Sequence, residues 1–213
     1  MEVEVITFND WKKEKFPKEQ VVVTVSKSND WSKGLSPFVL GPCELWGGHI
    51  SKNMENAWQG SKVYPEHVDS NNKVTDKWFK WAKEEWDCDR AHRYPMGKGA
   101  IPLFSYWDGE YLTYIQARKR IYIPLYYKAV IKTDAWKKLQ DLYNKLKNEE
   151  RDLYLVDFDA YRHKKEGLGY KDVINNDKKK MGHAFVLGMA LEIQEKLEAS
   201  IKRSSNGHTD VVV

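Results

Sequence analysis

Residues 54–64 read Met54-Glu55-Asn56-Ala57-Trp58-Gln59-Gly60-Ser61-Lys62-Val63-Tyr64. They set a carboxylate, an amide and an ammonium at positions i, i+4 and i+7. At about 100° per residue, a helix gathers Glu55, Gln59 and Lys62 within an arc of roughly 60°. Met54, Trp58 and Ser61 take the adjoining arc, so an apolar flank faces a core beside a polar strip. Ser51 or Asn53 is placed to cap this helix, which sets Glu55 in the first turn at the positive end of the dipole. Lys62 on the same strip acts in the same direction, and both favour an ionised carboxylate. The plainer reading is a solvated helix face carrying a Glu–Lys pair. The company this stretch keeps decides between them.

Upstream, Gln20 to Ser26 reads as a buried strand, and a polar loop from Lys27 to Gly34 comes next. Leu35 to Leu40 is a short extended piece, barred from a helix interior by Pro37. Gly41, Pro42, Gly47 and Gly48 mark turns. Downstream, Asp76 to Trp86 reads as a helix with Trp78, Trp81 and Ala82 on one side and Thr75 or Asp76 as cap. Arg90 to Gly99 is a basic, glycine-bearing loop; it lacks the Walker pattern, but its amides with Arg90, Arg93 and Lys98 suit an anion. Tyr111 to Arg120 reads as helix, and Ile121 to Leu125 is ambiguous because of Pro124. Trp136, Leu139, Leu142, Tyr143 and Leu146 recur at helical spacing behind Thr133-Asp134. Leu153 to Phe158 is a strand, His163 to Lys180 a polar loop, and Met181 to about Lys202 a last helix with a buried face. The tail from Arg203 reads as frayed. No repeat or linker divides the chain, so the expected fold is one α+β domain, mainly helical, with a few short strands. Residues 1–33 would be an N-terminal strand and loop extension, 34–202 the domain, and 203–213 a flexible tail.

The 213 residues are 41% apolar and 13% aromatic, enough for a sizeable core, and nine Trp and twelve Tyr suit planar ligands as well as packing. The net charge of +4, from 35 basic against 31 acidic side chains, is compatible with nucleotide or nucleic-acid partners without demanding them. Cys43 and Cys88 lack metal-ligand spacing, and no run reaches the roughly 18 apolar residues of a membrane span. Met1-Glu2-Val3-Glu4 does not open a signal peptide. The expectation is a cytoplasmic protein (in the host cytoplasm if phage-encoded), with no membrane partner.

The six scattered histidines and the absence of HExxH, CxxC and GxSxG leave metal and serine chemistry without support; no metal and no cofactor is expected. The carboxylates fare better. Glu55 sits beside Trp58, and Asp157 and Asp159 lie where a strand gives way to a loop, a position that can project into a cleft or simply form a turn. Paired carboxylates with a lysine and aromatic walls suit cleavage of an N-glycosidic bond, where one group handles the oxocarbenium-like sugar or water and another the leaving base.

The order of these pieces resembles the NADAR superfamily, linked to NAD and ADP-ribose metabolism. Leu35-Ser36-Pro37-Phe38 is similar to its SPF-like element. Glu55, Trp58, Gln59 and Lys62 match its Glu-x-x-aromatic-Gln-x-x-Lys helix, and Arg93 and Trp107 its Arg and Trp region. Asp159-Ala160-Tyr161-Arg162 stands at its Asp-x-x-Trp motif, and Phe185 to Leu191 is similar to its glycine-containing last helix. The resemblance spans roughly residues 34–197, with two departures: Arg162 for a Trp and Phe185 for an Asn. It implies a hydrolase of N-glycosidic bonds acting on ribosylated pyrimidine intermediates or on ADP-ribosylated bases. Carried over by position, Glu55 is the principal catalytic carboxylate and Asp159 a second acid at the ribose. Gln59 and Lys62 position the substrate or its phosphate, Trp58 walls the pocket, and Arg162 pairs with a phosphate or stacks on a base. The alternatives are a non-catalytic module binding ADP-ribose or nucleotides, and an accessory enzyme of DNA base modification.

Overall fold

The computed structural model describes residues 1–207 and 210–212, with the backbone alone for 205–207. In chain order its first elements are β1 (Val3–Thr7), α1 (Phe8–Lys13), β2 (Val21–Val23), β3 (Cys43–Glu44), β4 (Ile50–Ser51), α2 (Met54–Gly60), β5 (Lys62–Val63) and α3 (Asp76–Asp87). The middle of the chain forms β6 (Phe104–Trp107), β7 (Glu110–Leu112), α4 (Tyr114–Ala117), α5 (Ile123–Val130) and α6 (Asp134–Asn148). The last elements are β8 (Leu153–Asp157), α7 (Tyr170–Asn175), α8 (His183–Glu192) and α9 (Gln194–Gly207).

The valine-rich segments β1 and β2 both pair in parallel with β8, which lies between them. Val5 stands opposite Leu155 and Val22 opposite the same residue from the other side. β-Branched residues favour such a pleated, buried surface. Because all three strands run the same way, their carboxyl ends share one edge. Helix α8 packs on β1, β8 and α5 and has no polar face; every residue from His183 to Ala190 is buried. A helix apolar all round is a core helix. Phe185 within it is fully buried, and such a side chain contributes about 1.5–3 kcal/mol when taken from water. A smaller aromatic cluster forms around Trp78, Ala82 and Trp86 of α3 and Val63 of β5. The whole is a single α+β domain, mainly helical.

Several local expectations change. The N-terminal residues are no extension, since β1 and β2 flank the middle strand of the main sheet. The first predicted strand shortens to Val21–Val23, because Gln20 closes a 3-10 turn and Thr24 turns its hydroxyl to the Val156 carbonyl. Tyr111 belongs to a strand: Asp108 (φ 48°) and Gly109 (φ 84°) make the positive-φ turn of a β6–β7 hairpin, and helix begins only at Tyr114. Ile121 to Leu125 is helical despite Pro124, which sits in the first turn of α5. The 163–180 stretch contains α7, and the last helix breaks at Ile193 into α8 and α9. The tail is docked: Val211 is fully buried, Asp210 pairs with Arg120 at 2.8 Å, and the Val212 amide donates to Ser200 Oγ. The expectation for His208, Thr209 and Val213 lies outside the described residues. Helix α6, by contrast, matches its expected span, with Thr133 Oγ1 accepting from the Trp136 amide and Trp136, Leu139 and Leu146 buried.

Candidate functional site

A cleft of about 880 Å³ opens at the carboxyl edge of the parallel sheet. Residues just after β2 (Val25 to Lys27), together with the end of β8 and the bend beyond it (Asp157 to Asp159), form part of its wall. Ligands in open parallel sheets bind outside such strand ends, where loops diverge. Helix α2, the 93–102 loop and the 177–183 segment add to the wall, together with Ser36 to Phe38, Lys62, Tyr64, Tyr114, Arg118 and Tyr122.

Helix α2 is capped by Asn53, whose Oδ1 accepts from the Asn56 amide at 2.8 Å. Ser51 donates to the Asn53 carbonyl instead. The helix ends at Gly60, where a Cβ would stand 2.5 Å from Trp86 Nε1. Lys62 therefore reaches the polar strip from β5, not from the helix. Its Nζ donates to Gln59 Oε1 at 2.7 Å, and Gln59 Nε2 donates to Glu55 Oε1 at 2.8 Å. Lys62 thus fixes which end of the amide faces the carboxylate, and Glu55 Oε2 is left to carry or release a proton.

The expectation of a carboxylate held in its ionised form is corrected. Burial pushes the Glu55 pKa up and outweighs Gln59, Lys62, Arg93 and His183, which act the other way. A helix of seven residues offers little dipole against the loss of water. Burial also takes Lys62 down to about 8, opposed by Glu55 and Asp159 and aided by Lys180. The ammonium lies 5.2 Å from the centre of the Trp58 ring.

Asp159 has a different setting. It is about one-third exposed and meets Arg93 Nη2 with both oxygens at 3.2 Å. Arg93 also lies 5.5 Å from the ring centres of Tyr94 and Phe158. Beneath, Asp157 at the end of β8 holds His183 at the start of α8, with Nδ1 to Oδ2 3.0 Å. Asp157 Oδ2 also accepts from the Ala184 amide, and Oδ1 from the Phe158 amide. A Cβ at Gly182 would stand 2.2 Å from Asp157 Oδ2, so only glycine lets α8 approach. Tyr122 lies at the end of a wide π-turn spanning Arg118–Tyr122, a feature frequent at functional sites.

Of the residues singled out from sequence, Glu55, Trp58, Gln59, Lys62, Arg93 and Asp159 line this one cleft. Trp107 and Arg162 do not. Trp107 packs on the Leu112, Ala117 and Ile121 cluster, where its hairpin carries it. Arg162 is drawn off by two carboxylates: its Nε and Nη2 donate to Glu4 and its Nη1 to both oxygens of Glu14. No phosphate contact is open to a guanidinium so engaged. In the basic loop, Arg93 is engaged by Asp159, while Arg90 and Lys98 lie outside the cleft wall. The residues that sequence reasoning missed are His183, Tyr122, Tyr114 and Lys180, and it placed Asp157 at a strand end without its partner. The Gly182-His183 pair opening an apolar helix was the available signal.

Among the described residues, no group of three or more His, Cys, Asp or Glu side chains is arranged to hold a metal ion, and no helix is long and apolar enough to cross a membrane. A family model described as a family of unknown function, DUF6939, matches residues 8–167. No curated protein and no solved structure matches the chain.

Proposed function

We propose that this chain, which belongs to the family of unknown function DUF6939, hydrolyses an N-glycosidic bond in a ribosylated or ADP-ribosylated base or nucleotide. The observation that carries the reading is the pair of carboxylates in one cleft with opposed surroundings: Glu55 buried, with its pKa pushed up by that burial, and Asp159 part-solvated and paired with Arg93. A buried carboxyl and a part-solvated carboxylate beside an arginine divide acid and base roles between them. Glu55 protonates the leaving base from Oε2 while Gln59 holds Oε1. Asp159 stabilises positive charge on the ribose and directs water to its anomeric carbon. Trp58 and Phe158 offer planar surfaces for the base. The resemblance to the NADAR superfamily belongs to this proposal and supports the same assignment.

The test is incubation with ADP-ribosylated guanosine, NAD and ribosylaminopyrimidines, with released base followed by mass spectrometry. Release that is lost in both Glu55→Gln and Asp159→Asn supports hydrolysis; no release from any of them counts against it. A second reading, a cytoplasmic module that binds ADP-ribose-like nucleotides without turnover, is favoured by Lys27, Lys178 and Lys180 on the cleft wall. It predicts saturable ADP-ribose binding with every substrate recovered intact. A nucleic-acid role in base modification predicts salt-dependent DNA binding instead.

A further inference from the structure

Outside the cleft wall, where α3 packs on α2, three side chains form a chain of their own. Glu85 lies in the last turn of α3, Cys88 stands next as its C-cap, and His92 returns from the loop beyond. His92 Nδ1 stands 3.1 and 3.0 Å from the two oxygens of Glu85. In the neutral ring, the nitrogen facing two carboxylate oxygens carries the proton and Nε2 presents its lone pair. That Nε2 lies 3.9 Å from Cys88 Sγ. Glu85 is buried, and Cys88 and His92 are part-exposed. The backbone between them is clamped by Asn56, fully buried in α2. Its Nδ2 donates to the carbonyls of Cys88 (3.0 Å) and Arg90 (2.8 Å), and its Oδ1 accepts from the His92 amide at 2.8 Å. The neighbouring carboxylates Asp87 and Asp89 are paired with Lys83 and Lys52.

We propose that Cys88 is an activated thiol that undergoes exchange with small disulfides, with His92 as its base and Glu85 orienting the imidazole. A nucleophile, a base and a group orienting that base are the parts such chemistry needs. The thiol proton passes to His92 Nε2, and Cys88 Sγ forms a bond to one sulfur of the disulfide. The S–S bond breaks, and the departing sulfur leaves with the electron pair and takes the proton from the imidazolium. Cys88 is oxidised to a mixed disulfide and the departing half is reduced to a thiol. The site stands independently of any activity in the cleft. Cys43 provides an internal contrast, since burial pushes its thiol up to about 11.

Oxidised glutathione is mixed with the full chain at pH 7, and adducts at Cys88 and Cys43 are timed by intact-mass and peptide analysis. The expected exchange at Cys88 is about tenfold or more faster than at a cysteine in an unstructured peptide, as for thiols paired with a histidine. Cys43 stays unmodified, and His92→Gln and Glu85→Gln bring Cys88 back toward the peptide rate. A wild-type rate no faster than the peptide overturns the proposal, whether or not the variants fold. So does a folded His92→Gln variant that keeps the wild-type rate.

Discussion

His183 Nδ1 lies 3.0 Å from Asp157 Oδ2, and its Nε2 lies 2.8 Å from the carbonyl oxygen of Thr24. Both ring nitrogens face acceptors, so both donate and the ring is an imidazolium. Burial, the largest influence, drives the His183 pKa down, but Asp157 and the Thr24 carbonyl together raise it. Burial likewise works to raise Asp157, and His183 with the Ala184 and Phe158 amides brings it below 3.8. The stabilisation from His183 is full below its ordinary 6.5 and fades as pH rises through the raised value. That from Asp157 is full above 3.8 and fades as pH falls through the lowered value. The pair therefore contributes most between those two ordinary values. Asp157→Asn leaves a buried cation without its counter-charge and is expected to cost about 3–5 kcal/mol in urea unfolding at pH 6. A loss below about 1 kcal/mol would refute the paired state, because exposed pairs give no more than that.

Glu55→Gln is expected to abolish base release while keeping the fold. The amide matches the carboxyl in shape, and the Gln59 contact at 2.8 Å survives if the new side chain presents its oxygen. Because burial raises the Glu55 pKa, the stability linked to its neutral form is present below 4.5 and is lost as pH rises through the raised value. The variant escapes that loss. Its melting temperature should equal or exceed that of the wild type at pH 8, and the difference should close on acidification to pH 4. A variant that melts well below the wild type at pH 8 would show that the carboxylate is structural.

Helices α3 and α6 were legible because their apolar residues recur with the helical period and sit on short-range signals. The strip of α2 was legible too, although Lys62 joins it from a strand: a side chain that long covers the change of backbone. Helix α7 was not legible. Tyr170, Val173 and Ile174 carry the helical spacing for a single turn only, six residues cannot nucleate alone, and the terminal carbonyls are held by Arg118 from the far side of the chain. The Asp108-Gly109 turn carried a hairpin signal that the helix-like run after it obscured. The fate of Arg162 depended on Glu4 and Glu14, whose nearness is a product of β1 pairing with β8, and no local pattern reports that.

Arg162→Ala is expected to act on stability and not on ligand binding. The guanidinium makes a two-pronged pair with Glu4 of β1 at 2.8 and 2.6 Å and a second pair with Glu14, tying the segment after β8 to the N-terminal strand. Glu4 is mostly buried and would be left without its counter-charge, so a loss of about 2 kcal/mol in urea unfolding is expected. If the cleft takes ADP-ribose as proposed, calorimetric titration should give the variant the affinity of the wild type. A tenfold loss of affinity at unchanged stability would return Arg162 to the site.

Arg118 ties the cleft wall to the core. It is 2% exposed, its Nη1 donates to the carbonyls of Val173, Ile174 and Asn176, and its Nη2 donates to that of Lys179, all within 3.0 Å. The Tyr114 ring covers it at 4.6 Å. The chain it grips runs directly into Lys180 and His183, so the guanidinium sets where that wall of the cleft stands. Arg118→Met keeps the apolar stem, removes the charge-assisted donors and leaves several carbonyls unsatisfied, at a cost of about 3 kcal/mol. Amide exchange should quicken across residues 170–180, while the Asn56-clamped 88–92 loop keeps its protection. If a nucleotide occupies the cleft, its affinity should fall with that loosening, because ordering the wall then opposes binding. Unchanged exchange across 170–180 would mean that α7 stands without Arg118.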